Sequence, residues 1–252
     1  MSAESRTAAR ACRLVFEELL DAEPQLGVRL QAVSLGSLER YVALLLEANR
    51  WVNLTRVVEP SAVARLHLLD SLAALPLLDD LRAETIVDIG SGGGLPALPL
   101  AIARPHTRWT LVEAVGKKAG LLAAFSQELG LPNVTVVAER AETLGRQPSG
   151  RESHDLATAR ACAPLPVLTE LSLPLVRTGG ALLAWKGPLS SASSELRAGQ
   201  LAARQLGGGE PSVHDSGWQA LGGHRFVLVP KVAATPPRFP RRPGEPGRRP
   251  LA

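Results

Sequence analysis

Sulfur is scarce in this 252-residue chain, which contains two cysteines and a single methionine. Cys12 and Cys162 are too few for a disulfide framework or a cysteine-based metal site, so we expect buried or incidental thiols. No apolar run approaches the length of a membrane span, and the first residues lead into no secretory hydrophobic region. These absences predict a soluble, cytoplasmic protein with no membrane partner and no bound metal.

An excess of one charge is also missing from most of the chain. The formal net charge is +4, and residues 235–252 account for all of it with five arginines and one glutamate, which leaves 23 basic and 23 acidic residues elsewhere. A short basic tail rich in proline can contact phosphates, and it is equally typical of an unstructured, solvated terminus. Composition leaves both interpretations open.

Glycine is concentrated at one point, between Asp88 and Pro96, where the chain reads DIGSGGGLP. The β-branched run before it suits a buried strand, the glycines allow a sharp turn, and Pro96 suits the first position of a helix. Such a turn lets a cofactor lie directly on the backbone. The register from Gly92 to Ala97 fits the dinucleotide pattern G-x-G-x-x-G/A. We favour the acidic-x-Gly-x-Gly-x-Gly pattern from Asp88, which resembles motif I of the S-adenosylmethionine-dependent methyltransferases.

Apolar strands and helical segments alternate from Thr85 onward. Strands are predicted at residues 85–89, 108–113, 134–138, 155–159, 180–185, 212–218 and 225–229. Helices are predicted at residues 97–103, 117–129, 165–175 and 190–205. This alternation predicts a parallel sheet with right-handed crossovers, and the last two strands, with no helix between them, should be antiparallel. The expected architecture is an α/β, doubly wound sheet of seven strands.

The first eighty or so residues are predicted to be helical and to pack on this core. Residues 7–20 carry apolar side chains at helical spacing, and Ser37 is a suitable N-cap for a second helix. Further along, His67 and Ser71 lie one helical turn apart beside Asp70. A Ser-His-Asp hydrolase is disfavoured, because three residues of one helix cannot place the base between the nucleophile and the acid. We interpret these residues as a polar stripe that faces a cleft.

Polar residues stand where several predicted strands end. Glu113 ends the second strand, about 25 residues after Asp88 in the sequence. This separation is typical of a carboxylate that accepts hydrogen bonds from ribose hydroxyls. Ala141 and Glu142 follow the third strand, where a backbone N–H and a carboxylate can hold an adenine edge. Arg160 ends the fourth strand and Lys186 the fifth, so two cations point to the same crevice and suit a carboxylate or an RNA phosphate.

The end of the fourth strand excludes two methylation chemistries. It reads ARACAP from Ala159 to Pro164 and lacks the Asn/Asp-Pro-Pro-aromatic sequence with which amino-group methyltransferases hold an exocyclic nitrogen. Only Cys162 lies near a strand end, so no cysteine pair is available for methylation of a pyrimidine carbon. A substrate nitrogen that is already nucleophilic needs neither device.

Several motifs occur in an order that gives the chain a specific resemblance. They are NRWVNLT at 49–55, HLLDSL at 67–72, DIGSGGGLPALPL at 88–100, AERAE at 138–142, ARACAPL at 159–165, WKG at 185–187 and TPPRFPRRPGEPGRRPL at 235–251. From about residue 38 to the C-terminus, the chain resembles the RsmG (GidB) family of small-subunit ribosomal RNA methyltransferases. Ala97, Glu113 and Phe239 stand where that family usually has Gly, Asp and Tyr.

The resemblance implies a class I, Rossmann-like methyltransferase fold with an N-terminal helical extension, and S-adenosyl-L-methionine as cofactor. It implies N7 methylation of one guanine in the 530 loop of 16S rRNA. By position, the cofactor would be lined by Gly90, Leu95, Glu113, Ala114, Val115, Ala141, Glu142 and Arg160. Arg160 and Lys186 are candidate catalytic residues, and Asn53, His67 and Asp70 would support the site. Arg140 and the arginines of the tail would support the site or meet RNA.

The helical start, the alternation after Thr85 and the charge of the last residues predict a division into an N-terminal helical extension (1–80), a methyltransferase domain (81–234) and a basic tail (235–252). The resemblance says nothing about residues 1–35. We expect a monomer that acts on 16S rRNA within a small-subunit particle, with activity that falls as salt rises. Two alternatives stay open: a small-molecule methyltransferase, and a non-catalytic RNA- or nucleotide-binding module.

Overall fold

The computed structural model describes residues 1–24, 33–187 and 193–251. Its strands are β1 (Thr85–Ile89), β2 (Arg108–Val112), β3 (Val134–Val137), β4 (His154–Arg160), β5 (Val176–Lys186), β6 (Ser212–Asp215) and β7 (Arg225–Pro230). Its α-helices are α1 (Ala3–Ala22), α2 (Leu35–Asn49), α3 (Pro60–Val63), α4 (Asp70–Leu72), α5 (Leu75–Leu81), α6 (Ala97–Ala103), α7 (Gly116–Glu128), α8 (Ala141–Leu144), α9 (Leu165–Ser172), α10 (Ser194–Gln205) and α11 (Glu245–Arg248). A π-helical turn (Ala64–Leu69) joins α3 to α4.

The strands form one seven-stranded sheet in the order β3-β2-β1-β4-β5-β7-β6. The five strands from β3 to β5 are parallel, whereas β7 is antiparallel to both β5 and β6. After β1 the chain builds outward through β2 and β3, then returns to add β4 on the other side. Ligands of such sheets bind where the strand order reverses, outside the carboxyl ends of the strands. The predicted α/β sheet of seven mostly parallel strands is confirmed.

Local hydrogen bonds move several element boundaries from their predicted places. Ser37 is not the N-cap of α2; Ser34 is, because its Oγ accepts a hydrogen bond from the Ser37 N–H at 3.2 Å. Pro96 occupies the N-cap of α6 rather than its first helical position. Strand β6 stops at Asp215, because the Asp215 carboxylate accepts a hydrogen bond from the Gly217 N–H and turns the chain.

Two other differences concern β5 and α10. Strand β5 begins at Val176, earlier than predicted, because a register shift between His154 and Leu156 in β4 lets Val176 pair with His154. Helix α10 begins at Ser194, with Ser193 as its N-cap. Residues 190–192 of the predicted helix lie outside the described residues.

The N-terminal helices cover one face of the sheet. Helix α1 packs on α2 and on the helical segment Pro60–Leu81, and apolar side chains from all three join those of α6 and α7 in one core. By length and composition Pro60–Leu81 could cross a membrane, so the expectation that no apolar run approaches that length was wrong. However, 67% of its most apolar stretch is buried inside the protein. Such burial is typical of a core helix.

The opposite face is covered by α9, α10 and the C-terminal segment. Phe239 is 3% exposed and shares a core with Leu165 and Leu206. The Arg151 guanidinium donates hydrogen bonds to the carbonyl oxygens of Thr235 and Phe239. The tail is therefore built into the fold rather than solvated along its length. The division at residues 80 and 234 stays a prediction.

Candidate active site

The glycine turn after β1 has a backbone that only glycine adopts readily. Gly90, Gly92 and Gly94 have φ angles of +67°, +54° and +92°, in the left-handed region where a Cβ is disfavoured. The N–H groups of Gly90 and Ser91 both donate to the carbonyl oxygen of Val112, at 2.9 and 3.2 Å. The end of β2 therefore holds the turn against the sheet edge.

The remaining glycine of the turn, Gly93, has a packing role. A Cβ on Gly93 would lie 2.8 Å from Leu45 Cδ1 and 3.4 Å from Leu54 Cβ. The Tyr41 hydroxyl donates a hydrogen bond of 3.0 Å to the Gly93 carbonyl oxygen. Tyr41 and Leu45 belong to α2, so the N-terminal helices fix the outer side of the turn while its inner side faces the sheet edge.

A cleft of about 260 Å³ opens where this turn meets the ends of β2, β3 and β4. Its lining residues are Ile89, Gly90, Val112, Glu113, Ala114, Glu139, Arg140, Ala141, Glu142, Cys162, Ala163, Val167, Leu171, Gly244 and Gly247. Five of the residues predicted to line the cofactor are among them, namely Gly90, Glu113, Ala114, Ala141 and Glu142. The sequence-based expectation that these residues share one crevice therefore agrees with the geometry.

Glu113 is held by the backbone on both sides. One carboxylate oxygen accepts a hydrogen bond from the Gly92 N–H at 2.9 Å, and the other accepts from the Val115 N–H at 2.8 Å. The residue is 7% exposed and borders the cleft. Each carboxylate oxygen has a second lone pair, so the group can also accept from the two hydroxyls of a ribose.

Glu142 is held in a similar way, but by the C-terminal segment. Its Oε1 accepts a hydrogen bond of 2.7 Å from the Gly244 N–H. The residue is buried and lies in α8, the short helix that follows β3 after three residues. Val167 and Leu171 of α9 add an apolar side to this end of the cleft. A purine ring with a polar edge fits such a surface.

Asp88 lies beneath the turn rather than in the cleft. It is 1% exposed, and its Oδ1 accepts a hydrogen bond of 2.7 Å from the Thr158 hydroxyl. Its Oδ2 has no hydrogen-bond partner among the described residues. Burial raises the pKa of the Asp88 carboxyl to about 7, because removal from water disfavours the charged form. The acidic residue that starts the glycine motif is therefore a buried support of the turn.

The remaining predicted cofactor residues lie outside this lining. Leu95 is buried in the core beside α6, and Val115 is half exposed at the start of α7. Cys162, predicted to be a buried or incidental thiol, is exposed rather than buried and borders the cleft, with its Sγ 3.4 Å from the Ile89 carbonyl oxygen. Cys12, in contrast, is fully buried as expected.

Arg160 points away from the cleft toward the N-terminal helices. Its Nη1 donates to Asp70 Oδ2 at 2.8 Å and to the Leu66 carbonyl oxygen at 2.9 Å. Asp70 Oδ1 bonds His224 Nδ1 at 2.8 Å, and the Asp70 carbonyl oxygen accepts from the Trp185 indole at 2.8 Å. A largely buried cluster thus joins β4, β5, α4 and the start of β7. His224 is a member that the sequence did not indicate.

His67 connects this cluster to the loop after α2. Its Nε2 bonds the Thr55 hydroxyl at 2.8 Å, and burial lowers the pKa of the His67 imidazole to about 4. Asn49, rather than Asn53, shapes the loop, because its amide group bonds the backbones of Leu54 and Thr55. Asn53 itself is exposed. The first and last residues of the NRWVNLT motif, Asn49 and Thr55, therefore hold this loop in place.

The stripe of His67, Asp70 and Ser71 is not a catalytic triad. The Ser71 hydroxyl donates to the His67 carbonyl oxygen at 2.6 Å, and Ser71 is fully buried. A serine in that position cannot act as a nucleophile toward a ligand in the cleft. The argument against a hydrolase agrees with this geometry.

Lys186 lies at the end of β5 and is also paired. Its Nζ donates to Glu195 Oε1 at 2.7 Å and to the Ala163 carbonyl oxygen at 3.2 Å. Ala163 borders the cleft, so Lys186 lies behind that wall. Glu195 also accepts a hydrogen bond from the Leu165 N–H at 2.8 Å, which ties α10 to the start of α9.

Solved structures with a similar fold define the class of protein. An O-methyltransferase from Bacillus cereus, solved with S-adenosylhomocysteine, matches with a TM-score of 0.54 and 18% identity over 85% of this chain and 98% of that chain. A SAM-dependent O-methyltransferase from Thermotoga maritima matches with a TM-score of 0.51 and 16% identity over 76% of this chain and 72% of that one. This likeness shows the class I S-adenosylmethionine-dependent methyltransferase fold.

Sequence comparison then identifies the family. The family model for rRNA small subunit methyltransferase G matches residues 34–216. The ribosomal RNA small subunit methyltransferase G of Bacillus subtilis is 38% identical over 237 residues, which cover 94% of this chain and 98% of that protein. The protein of the same name from Deinococcus deserti is 42% identical over 239 residues, 93% of this chain and 96% of that protein. The chain belongs to the rRNA small subunit methyltransferase G family.

The predicted family, the class I fold and the dependence on S-adenosylmethionine are therefore confirmed. The cleft fits such a cofactor on its own geometry as well. Gly90 borders it, and a Cβ there would lie 3.1 Å from Cys162 Cβ on the other side, so a side chain would fill the space. The buried carboxylates of Glu113 and Glu142 supply acceptors for hydroxyl and amino groups.

Proposed function

We propose that this chain transfers a methyl group from S-adenosyl-L-methionine to N7 of one guanine in the 530 loop of 16S rRNA. The observation that carries the proposal is the cleft itself, which lies on the glycine turn between Glu113 and Glu142 in a chain of this rRNA methyltransferase family. On this proposal Gly90, Glu113 and Glu142 hold the cofactor, and the surface around Arg160 and Lys186 receives the RNA.

The chemistry of guanine N7 matches the state of the nearby side chains. The bound cofactor supplies a methyl group on a positively charged sulfur, and N7 has a lone pair but no proton at neutral pH. The chain therefore has to position the base and does not have to deprotonate it. His67 is bonded to Thr55, and Asp70 accepts from Arg160 and His224. The side chains of His67 and Asp70 could act as general bases, but both are hydrogen-bonded within the fold. This supports an acceptor atom that does not have to be deprotonated.

An exposed aromatic surface beside the glycine turn supports RNA as the acceptor. Trp51 is 64% exposed, and the Arg50 guanidinium lies 5.3 Å from its ring centroid. Leu54, in the same loop, packs beside Gly93 of the turn. Unpaired RNA bases stack on aromatic rings and guanidinium planes. A small-molecule acceptor would have no use for this exposed pair.

Charge at the end of the chain adds phosphate contacts. The arginines that are exposed in the tail are Arg238, Arg242, Arg248 and Arg249. Arginine pairs well with phosphate oxygens, and each such contact makes binding fall as salt rises. We expect methylation of small-subunit particles to slow in steps as these arginines are replaced by glutamine, with the salt dependence becoming shallower at each step.

The test uses small ribosomal subunits from a strain that lacks the gene. The purified chain is supplied with S-adenosylmethionine carrying a labelled methyl group, and digested 16S rRNA is examined by mass spectrometry. We expect labelled N7-methylguanosine from one position in the 530 loop, and none from the Gly90→Val chain. Label on a different atom, or transfer to small molecules alone, would contradict the proposal. Naked 16S rRNA, tested in parallel, shows whether the particle is the substrate.

We propose that the chain acts on small subunits as a monomer in the cytoplasm. Light scattering during size-exclusion chromatography measures the mass of the free chain and of its complex with the small subunit. One copy in each supports the proposal, and a dimer in either contradicts it.

A further inference from the structure

The C-terminal segment, whose composition fits phosphate contact and a solvated terminus equally, also borders the cofactor cleft. Gly244 and Gly247 border the cleft together with Glu142. We propose that residues 241–248 form the wall against which the adenine of the cofactor lies, and that a buried ion pair between Arg241 and Glu170 holds this wall in place. The inference rests on the proposed use of S-adenosylmethionine and adds a binding element to it.

The ion pair fixes where the wall begins. Glu170 of α9 is fully buried, and its carboxylate accepts hydrogen bonds from the backbone N–H of Arg241 at 2.9 Å and from the Arg241 side chain at 2.8 and 2.5 Å. Bidentate pairs of this kind restrict both partners to one geometry. Just before the pair, Phe239 is packed in the core. Only Arg242 and Pro243 separate Arg241 from Gly244, so the ion pair also restricts the position of Gly244.

The position of Gly244 has a direct effect on Glu142. The Gly244 N–H donates to Glu142 Oε1 at 2.7 Å, so the tail orients this carboxylate. Glu142 then has its second oxygen available for the amino group of a purine. Gly244 has a φ of +80°, which glycine adopts without strain. The tail therefore sets the polar edge of the adenine end of the cleft.

Gly247 gives the wall a flat surface. A Cβ on this residue would meet no atom within 4 Å, so the space beside it is open. Val167 and Leu171 lie in the same lining. A planar ring fits a narrow space between apolar surfaces. The side chains of Val167 and Leu171 and the backbone of Gly247 provide such surfaces. Any large side chain at position 247 would occupy space beside the cleft.

The experiment compares the same substitution at two glycines. Gly247→Leu adds a side chain at the wall, and Gly120→Leu adds one to an exposed glycine of α7 that lies outside the lining and whose Cβ would meet nothing within 4 Å. Calorimetry with S-adenosylhomocysteine measures affinity, and thermal unfolding without ligand checks that both chains fold. We expect at least about tenfold weaker binding for Gly247→Leu and a change within about twofold for Gly120→Leu.

A second measurement tests the ion pair without relying on activity. Amide hydrogen exchange of residues 241–248 reports whether the wall is held in place, because backbone that opens locally exchanges faster. In the unaltered chain, S-adenosylhomocysteine should slow this exchange. In Glu170→Gln, which keeps the shape of the side chain but loses its charge, exchange should be faster and affinity several-fold lower. Arg249→Gln is the matched control, since Arg249 is an exposed arginine of the same segment.

The outcomes separate this inference from the proposed function. If the unaltered chain binds S-adenosylhomocysteine and Gly247→Leu binds it equally well, the adenine does not lie against residues 241–248. The proposed methyltransferase function is not affected by this outcome. Unchanged exchange of residues 241–248 on binding would have the same meaning. If the unaltered chain does not bind S-adenosylhomocysteine at all, both are overturned.

Discussion

The two halves of the candidate site are held together in different ways. In the cofactor half, the carboxylates of Glu113 and Glu142 are bonded to backbone N–H groups of Gly92, Val115 and Gly244. In the acceptor half, ionised side chains are bonded to each other, as in the pairs of Arg160 with Asp70 and of Lys186 with Glu195.

This difference has physical consequences. Backbone donors are placed by the sheet and its turns, so the cofactor half depends on main-chain conformation and on the absence of side chains. Paired charges depend on residues from distant parts of the chain, and removal of one partner leaves the other uncompensated at a cost of several kcal/mol when buried. We therefore expect the cofactor half to fail through steric changes and the acceptor half to fail through changes of charge.

The largest effect should come from a side chain on the glycine turn. Gly90→Val places branched carbons opposite Cys162 at a φ of +67°, and we expect affinity for S-adenosylhomocysteine to fall by about 100-fold because both the space and the backbone conformation are lost. Gly120→Val is the control, since a Cβ at Gly120 meets nothing within 4 Å. Equal binding by both chains, measured by calorimetry, would show that the cofactor does not lie on this turn.

The acceptor half should respond to charge and leave the cofactor in place. We expect Lys186→Ala to lower kcat/KM on small subunits by about 30-fold, the value of one charged hydrogen bond, with affinity for S-adenosylhomocysteine changed by less than about twofold. Glu195→Gln tests the cause, because it frees Lys186 from its partner. If Lys186 meets a phosphate, this variant should bind particles at least as well as the unaltered chain. A matched loss in both variants would indicate a structural pair instead.

The sequence was informative where the chemistry depends on local pattern. The bounds of β1 and α6 agree with the prediction because a β-branched run, a glycine turn and an apolar helix follow one another without a competing signal. The cleft-lining residues Gly90, Glu113 and Glu142 were predicted to share one crevice for the same reason. Gly90 and Glu113 directly follow β1 and β2, Glu142 lies in the short helix after β3, and parallel strands bring their carboxyl ends to one edge.

Hydrogen bonds and ion pairs between residues far apart in the sequence could not be predicted by the same reasoning. The sequence indicated Arg160 and Asp70 separately, 90 residues apart, but gave no sign that they bond each other or that His224 joins them. No local pattern marks a partner that only folding brings near. The tail shows the same limit, because its composition fitted a solvated terminus and a phosphate-binding one equally and gave no sign that Glu170 binds Arg241.

A smaller effect is expected at the exposed aromatic surface. Trp51→Ala should raise the KM for small subunits by about tenfold, since stacking on a base contributes about 1–3 kcal/mol. Trp51→Phe should return the KM most of the way to that of the unaltered chain, because a phenyl ring is also a stacking surface. The affinity for S-adenosylhomocysteine should not change, since Trp51 lies outside the cleft lining. A KM equal to that of the unaltered chain would remove Trp51 from the acceptor half.

The smallest effect concerns pH and the cluster around Asp70. The hydrogen bond with Asp70 raises the pKa of His224 above its ordinary value of 6.5, while burial and the charges of Arg160 and Arg65 oppose this. Since the folded pKa is the higher one, protonated His224 stabilises the fold fully below pH 6.5, and this contribution is lost as pH rises through the raised pKa.

The test compares the unaltered chain with His224→Gln over a range of pH. The side chain of His224 is 35% exposed, so solvent screening limits the effect to a few degrees in Tm at most. The difference in Tm between the two chains should be largest at about pH 5.5 and should shrink toward about pH 9, as the charge disappears. The same comparison in an Asp70→Asn background should be flat, because the partner charge is gone. A Tm difference independent of pH would mean that the acceptor half is held at this point by packing and not by charge.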